Sequence, residues 1–462
     1  MSESSTSVDL VANLRHEIGR LSPGDRLPSS RDLVARYRVS PVTVSRAIAT
    51  LVTEGVVVTR PGSGTYVAAR KKAGANVAQT SWQTVALTDR AVDTRLVSES
   101  PGPPQPGTIL LDGGYLHRSL QPTKALGSAL ARAARRPDAW DRAPTTGLAA
   151  LRSIFASAVG GSVIADDVLV TAGGQSGLSM AFRAIAGPGS PVLVESPTYP
   201  GALAAARAAG LRPVPVPMDD AGIRPDLLAD AFDLTGARLL YCQPTYHNPT
   251  GLTLAQERRQ EIIDVAHAAG AFVLEDDFAR NLGHGGHTPP PLITDDANGT
   301  VVYLTSLTKP AAPSLRIGAL IARGPVMSRL RAIRMVDDFF VARPLQDAAV
   351  ELLSSPSWDR HLRSLASALR ERCEVLAGAI ARERPDWVIG RHPTGGLHLW
   401  VQLPRGADDA QVADAARRHG VALSTGRHFF ATEPPAPYLR LAFAATVDST
   451  ELTAAARRLA GL

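Results

Sequence analysis

Thr305 to Ala322 reads "TSLTKPAAPSLRIGALIA": the end of one apolar β run, a lysine, a proline-bearing turn and a second apolar run. Lys309 stands out because lysine is scarce. Of 49 Lys plus Arg, only Lys71, Lys72, Lys124 and Lys309 are lysine; the other 45 are arginine. A chain that uses arginine almost everywhere for charge keeps an amine where "VVYLTS" ends. A lysine at the end of a buried strand can lose its proton and attack a carbonyl, and a guanidinium cannot form a Schiff base. The position asks for a nucleophile rather than a charge. The plain alternative, a snorkelling surface lysine, sits badly with the apolar strand before it.

Around this stretch, from Ile109 onward, apolar β runs alternate with Ala-rich helical stretches. The runs are "DVLVTAGG", "VLVESPTY", "RLLYCQPTYHNPTG", "AFVLEDDF", "VVYLTSLTK" and "RIGALIAR". Near-continuous Val/Leu/Ile strands separated by helices predict an α/β domain, a mostly parallel sheet covered on both faces. Ligands of such sheets gather beyond the carboxyl ends of the strands. After about Ser357 the pattern changes to a smaller α+β unit with "GGLHLWVQL", "GVALSTG" and "YLRLAFAA".

Each run ends in one distinctive group. Asp276 closes "AFVLEDD", where a carboxylate can pair with a protonated ring nitrogen. Its neighbours Glu275 and Asp277 make three acids in a row, at least one of which should be solvated. Asn248, in "HNPTG", offers an amide to a ring oxygen, or serves only as a turn residue before Pro249. "TAGGQSGL" is a strand, a Gly-rich turn and a helix start, so the N–H groups of Gly174 and Gln175 form a phosphate site. Ser306 and Arg316 flank Lys309 and can reach the same phosphate. Tyr199, in "ESPTYPG", can stack on a planar ring. Arg440, in "YLRLAFA", can clamp a carboxylate.

The N-terminus is built differently. Leu10, Leu14 and Ile18 recur at helical spacing in "VDLVANLRHEIGR". Ser29 or Ser30 caps a second helix before Leu33 and Val34, and Pro41 opens a third, "PVTVSRAIATLVTEG". Val44, Ile48 and Leu51 form its buried stripe, with Thr43, Ser45, Arg46 and Thr50 outward. The runs "VVVTR" and "GTYVA" join across "PGSG" as a hairpin. Three helices and a hairpin make a winged helix-turn-helix, with the third helix in a DNA major groove and the wing near the backbone. A protein-interaction module is the alternative. From about Ala69 to Gly107 the composition is that of a linker, with a short helix expected around Trp82–Val92.

The whole chain has 462 residues and 45% hydrophobic content, enough for two or three domains with real cores. Residues 1–72 hold 11 Lys plus Arg against 6 Asp plus Glu, so +5 of the net +6 sits at this end. That suits a polyanion partner for the first module alone. Cys242 and Cys373 read as packed small hydrophobes in a reducing, cytoplasmic setting. No cluster has metal-ligand spacing, and no secretory signal or membrane span is predicted.

The segment "DRLPSSRDLVARYRVSPVTVSRAIATLVTEGVVVTRPGSGTYV" resembles the GntR-family DNA-binding domain, through its "LPSxR", "VSxxTVxRA" and "GxGTyV" elements. Residues 109–462 resemble a fold-type I aminotransferase that binds pyridoxal 5′-phosphate, carried by "SLTKPAAPSLRIG", "NPTG", "EDDF", "ESPTYPG" and "LRLAFA" in order. Together they resemble the MocR/PdxR group of transcriptional regulators. The implied layout is a winged domain over 1–68, a linker over 69–108 and the aminotransferase-like body over 109–462, with its small subdomain about 357–462.

The resemblance implies that Lys309 carries the cofactor as an internal aldimine, Asp276 pairs with the pyridine nitrogen and Asn248 serves the ring hydroxyl. Tyr199 stacks on the ring; Gly174, Gln175, Ser306 and Arg316 hold the phosphate; Arg440 takes an α-carboxylate. Arg31, Thr43, Ser45, Arg46, Gly62, Ser63 and Gly64 fall on the implied surface for a double-stranded operator. A homodimer is implied, with pyridoxal phosphate itself or an amino compound as effector. Two departures stand out: Phe278 replaces the tyrosine common in the group, and "NPTG" replaces its aromatic "YPTG" or "FPTG". The expected function is a cofactor-dependent transcriptional regulator. The alternative is a working aminotransferase that carries a DNA-binding module.

Overall fold

The computed structural model describes residues 3–60, 63–68, 81–86 and 105–462, in two compact units, Met1–Arg90 and Ala91–Leu462. Among the described residues no helix is long and apolar enough to cross a membrane.

In the first unit, helices α1 (Glu3–Ile18), α2 (Ser30–Tyr37) and α3 (Pro41–Thr53) precede an antiparallel hairpin of β1 (Val57–Arg60) and β2 (Gly64–Val67). Ser29 is the α2 N-cap, and Asp32 completes a capping box with it. Ser40 caps α3 and Pro41 occupies its first turn. Leu10, Leu14, Ile18, Leu33, Val44, Leu51 and Val57 form one buried cluster, so the apolar spacing of three helices resolves into one small core. Of the expected linker helix, Ser81–Ala86 is helical, and residues 87–92 lie outside the described residues.

The second unit is built on an eight-stranded sheet. Its strands are β4 (Val168–Thr171), β5 (Pro191–Ser196), β6 (Arg212–Asp219), β7 (Gly222–Ile223), β8 (Leu239–Cys242), β9 (Phe272–Asp277), β10 (Val301–Ser306) and β11 (Gly318–Ile321). The order is β4-β11-β10-β9-β8-β5-β6-β7. From β10 to β6 every neighbouring pair is parallel, while β11 runs antiparallel to both its neighbours. The two faces pack into separate cores, because successive side chains alternate. Leu240, Cys242, Val273 and Tyr303 lie on one side; Leu239, Tyr241, Leu274 and Leu304 lie on the other.

Strand β6 is invisible to hydropathy because it carries Pro213, Pro215 and Pro217. The Arg212 N–H bonds Ser190 O at 2.9 Å, on the β5 side. Alternation then points Val214 and Val216 to β5 as well and turns the three prolines, which have no N–H, outward.

The remaining strands are β3 (Ile109–Leu110), ahead of the large sheet in the chain, and β12 (Val388–Ile389), β13 (His398–Gln402), β14 (Val421–Ala422), β15 (Ser424–Thr425) and β16 (Tyr438–Ala442), after it. The second element of the body follows the long helix Pro356–Glu383 and holds the sheet β12-β13-β16-β15. The sequence reading began this subdomain near Ser357. In the structure β3 pairs in parallel with β14, and Ile109, Leu111 and Leu116 share the small subdomain's core. Backbone pairing carries the start of the body over to its far end, which local patterning cannot show.

Candidate active site

The site forms where the parallel strands end, as a cavity of about 190 Å³ between the large sheet and the small subdomain. Lys309, Asp276, Asn248, Tyr199, Gly174, Gln175, Ser306, Arg316 and Arg440 all line it. Nine residues from six stretches of sequence thus come together in one place.

Lys309 follows β10 by three residues. Its Nζ donates to Gly114 O at 2.6 Å and lies 3.8 Å from the Tyr115 ring centre. Burial, with Arg440 and Arg316 nearby, pushes its pKa down to about 8 against the opposing pull of Asp276. About a tenth of the amine is therefore neutral at pH 7.

Asp276 is buried in β9. Tyr241 Oη donates to its Oδ2 at 2.8 Å and Gln243 Nε2 to the same oxygen at 3.1 Å. Oδ1 thus keeps its lone pairs for a group in the cavity. Burial raises this carboxyl to about 6, with the Tyr241 and Gln243 hydrogen bonds acting the other way. Glu275 and Asp277 point to the opposite face. The expectation that one of the three acids is solvated fails: Glu275, Asp276 and Asp277 are 0%, 6% and 1% exposed. Arg280 pairs with Asp277, which also accepts from Tyr303 Oη at 3.0 Å, and Glu275 accepts the Leu292 N–H at 3.1 Å. Arg280 is only three residues from Asp277, but Tyr303 and Leu292 lie elsewhere in sequence, so the acids look solvated when read alone.

Gly173 opens the helix Gly174–Ile185 with φ +85°. A Cβ there would stand 2.7 Å from the Arg316 guanidinium, so only glycine admits the arginine. Arg316 donates to Ala172 O at 2.8 Å and faces the helix start. Ser306 Oγ is 2.8 Å from Thr308 Oγ1 and receives the Thr308 N–H at 3.1 Å. Helix N–H groups, a hydroxyl and a guanidinium so converge on one end of the cavity, the donor set an anion requires.

At the other end, Arg440 on β16 donates to Asn248 Oδ1 at 3.2 Å and to Asp112 O at 2.9 Å, over the Phe429 ring at 5.0 Å. Burial lowers its pKa to about 10, which leaves it charged near neutrality. Tyr199 Oη donates to Gln175 Oε1 at 3.2 Å, and burial first, then Asp276, raises its phenol to about 12. Phe278 lines the same cavity.

Sequence reasoning missed Tyr115, Tyr241, Gln243 and His398. Tyr241 and Gln243 were legible by period: they sit two apart, one in β8 and one just past its end, so both side chains fall on the Asp276 side. Tyr115 and His398 come from the small subdomain and its entry segment, and carried no local signal.

In the first unit, Arg31, Ser45 and Arg46 are exposed. Thr43 is half-buried and ties back to Ser40 Oγ at 2.8 Å, so it faces outward less than its spacing suggested. Ser63 Oγ is 2.7 Å from Tyr66 Oη, and a Cβ on Gly64 would meet Arg26 Nε at 2.8 Å. Gly62 lies outside the described residues.

The family "Aminotransferase class I and II" matches residues 110–459, and "Bacterial regulatory proteins, gntR family" matches residues 6–67. The HTH-type transcriptional regulator TauR of Rhodobacter capsulatus is 30% identical, over 89% of this chain and 86% of that one. The 2-aminoadipate transaminase of Thermus thermophilus is 31% identical, over 77% of this chain and 90% of that one. The crystal structure of LysN, an α-aminoadipate aminotransferase from Thermus thermophilus complexed with N-(5′-phosphopyridoxyl)-L-leucine, superposes with TM-score 0.75 at 28% identity, covering 82% and 97% of the two chains. The fold-type I body and these neighbours imply pyridoxal 5′-phosphate as cofactor. The chain belongs to the class I and II aminotransferase family, and the gntR-family module ahead of that body gives it the MocR architecture of HTH-type transcriptional regulators.

Proposed function

We propose that this chain is a DNA-binding transcriptional regulator in which pyridoxal phosphate, or an amino compound that reacts with it, controls operator binding. The observation that carries this reading is one chain joining a winged module with an exposed Ser45–Arg46 face to a body with a buried amine opposite a buried carboxylate. Bound pyridoxal phosphate supplies an aldehyde and an electron-withdrawing ring. The residues fit it: Asp276 Oδ1 is left over for the ring nitrogen, and the Gly173 cradle has no room for a Cβ beside Arg316.

In this reading Lys309 holds the cofactor covalently, its depressed pKa giving the neutral amine that bonding requires. Asn248 turns its Nδ2 to the ring hydroxyl because its Oδ1 already accepts from Arg440. Tyr199 stacks on the ring. Gly174, Gln175, Ser306 and Arg316 hold the phosphate, and Arg440 holds the carboxylate of an amino compound. Arg31, Ser45 and Arg46, with Thr43 at their border and Ser63 and Gly64 of the wing, form the surface for DNA. A two-fold pair of chains presents two winged modules to paired half-sites.

A second reading, a working aminotransferase, is favoured by the Asn248–Arg440 pair, which equips the site for amino acid carboxylates. One experiment separates the two. The cofactor-loaded chain is mixed with a panel of amino acids and a keto-acid acceptor, and product per site is counted while operator affinity is measured. A response that stops at one equivalent and shifts DNA affinity supports the regulator. Many turnovers with unchanged DNA affinity support the enzyme. Lys309→Ala abolishes the visible band of lysine-bound cofactor while keeping a cooperative melt; a variant that retained the band would refute the assignment.

A further inference from the structure

Gln243 stands one residue past β8, lines the cavity and is 2% exposed. Its side-chain amide is used at both ends. Nε2 donates to Asp276 Oδ2 at 3.1 Å, and Oε1 accepts the Asn248 backbone N–H at 3.3 Å. An N–H can only donate and an ionised carboxylate can only accept, so these two partners leave one orientation for the amide. The backbone N–H of Gln243 is itself held by Glu195 Oε2 at 2.7 Å, from a buried acid near the end of β5.

The two ends lead to different parts of the site. On one arm Gln243 and Tyr241 Oη, at 2.8 Å, both occupy Asp276 Oδ2, which decides the carboxylate oxygen that stays free. On the other arm lies Asn248, whose Oδ1 accepts from Arg440 at 3.2 Å, so that its Nδ2 is turned the other way. Tyr241 serves the first arm alone. Gln243 serves both.

We propose that Gln243 is a positioning residue whose single amide sets Asp276 against the ring nitrogen and Asn248 against the ring hydroxyl of the cofactor. This rests on the reading of the body as a pyridoxal phosphate site. An apolar side chain of similar length would leave Asp276 with Tyr241 as its one donor and the buried Asn248 N–H without its acceptor. Both ring contacts would then loosen together, although they are made by residues on separate segments.

The test uses the full chain, pyridoxal phosphate and two analogues, one with carbon in place of the ring nitrogen and one without the ring hydroxyl. Affinities are read from fluorescence quenching and thermal shift. Each analogue should bind the unaltered chain roughly tenfold or more weaker than pyridoxal phosphate. Gln243→Met should shrink both penalties by roughly threefold or more, whereas Tyr241→Phe should shrink the ring-nitrogen penalty alone. The penalties are the readout because an analogue's own reactivity toward Lys309 enters every chain alike, and a general loosening would weaken all three compounds by one factor. Gln243→Met with either penalty intact, or Tyr241→Phe with both reduced, would overturn the role of Gln243. If Gln243→Met does not fold, Gln243→Glu decides: as an anion it keeps the acceptor for Asn248 and opposes Asp276, so only the ring-nitrogen penalty should fall, and any other pattern overturns the proposal. Unaltered penalties in a folded Gln243→Met refute this proposal alone; an unaltered chain that captures none of the three compounds refutes the underlying reading too.

Discussion

Asp276 and its neighbours Glu275 and Asp277 share three consecutive positions of one strand, yet the two faces of β9 handle their acids in opposite ways. On one face Asp276 borders a cavity, takes two neutral donors on a single oxygen and meets a lysine rather than a close ion pair. On the other face Asp277 is sealed against Arg280 and Tyr303, with Arg259 buried nearby. The first arrangement leaves a carboxylate under-satisfied and ready for a ligand. The second uses charge to close a core, and it holds the strand that presents Asp276.

Breaking the sealed face should have the larger effect on stability. Arg280→Ala strands Asp277 as a buried, unpaired charge and should cost about 3–5 kcal/mol in a denaturant titration. A loss below about 1 kcal/mol would mean that Tyr303 alone suffices. On the open face, Asp276→Asn should weaken cofactor binding roughly tenfold or more, about 1.4 kcal/mol, in an equilibrium titration.

The same substitution has a pH signature. The folded pKa of Asp276, about 6, stands above its ordinary 3.8, so its contribution is complete at low pH and is lost as pH rises through about 6. Asparagine removes that decline, and the cofactor-free variant should gain on the parent above pH 6. The smallest effect belongs to Glu275→Gln. Burial and then Asp277 raise the Glu275 pKa above its ordinary 4.5, so its neutral form is favoured and glutamine mimics it. Stability at pH 7 should change by less than about 1 kcal/mol, with a flatter fall above pH 4.5. A large loss would show that Glu275 works as an anion toward Arg259.

The contrast also explains what was legible beforehand. Lys309, Asp276, Asn248 and Tyr199 each end or follow an apolar run, Arg316 opens the antiparallel run β11, and those ends of the sheet converge whatever the details of packing. Their partners were hidden to different degrees. Tyr241 and Gln243 needed only the two-residue period, whereas His398 and Tyr115 depend on how the small subdomain closes. The burial of Glu275 and Asp277 depends on arginines that local hydropathy cannot assign. Strand β6 was lost because proline vetoes a strand unless the outward side needs no donors, which is a fact about its neighbours.

Those prolines have a consequence for how copies of the chain can meet. With Pro213, Pro215 and Pro217 turned outward, that side of β6 offers carbonyls but no donors at three successive outward positions. At the far edge of the sheet, the Val170 N–H already bonds Thr146 O at 3.0 Å and its carbonyl accepts from Arg334 at 2.9 Å. Both stretches are thereby poor templates for another strand, the usual route to fibrils and to dimers made by sheet extension. A contact between copies of the body at these two stretches would have to be made by side chains, whose fit can select one geometry.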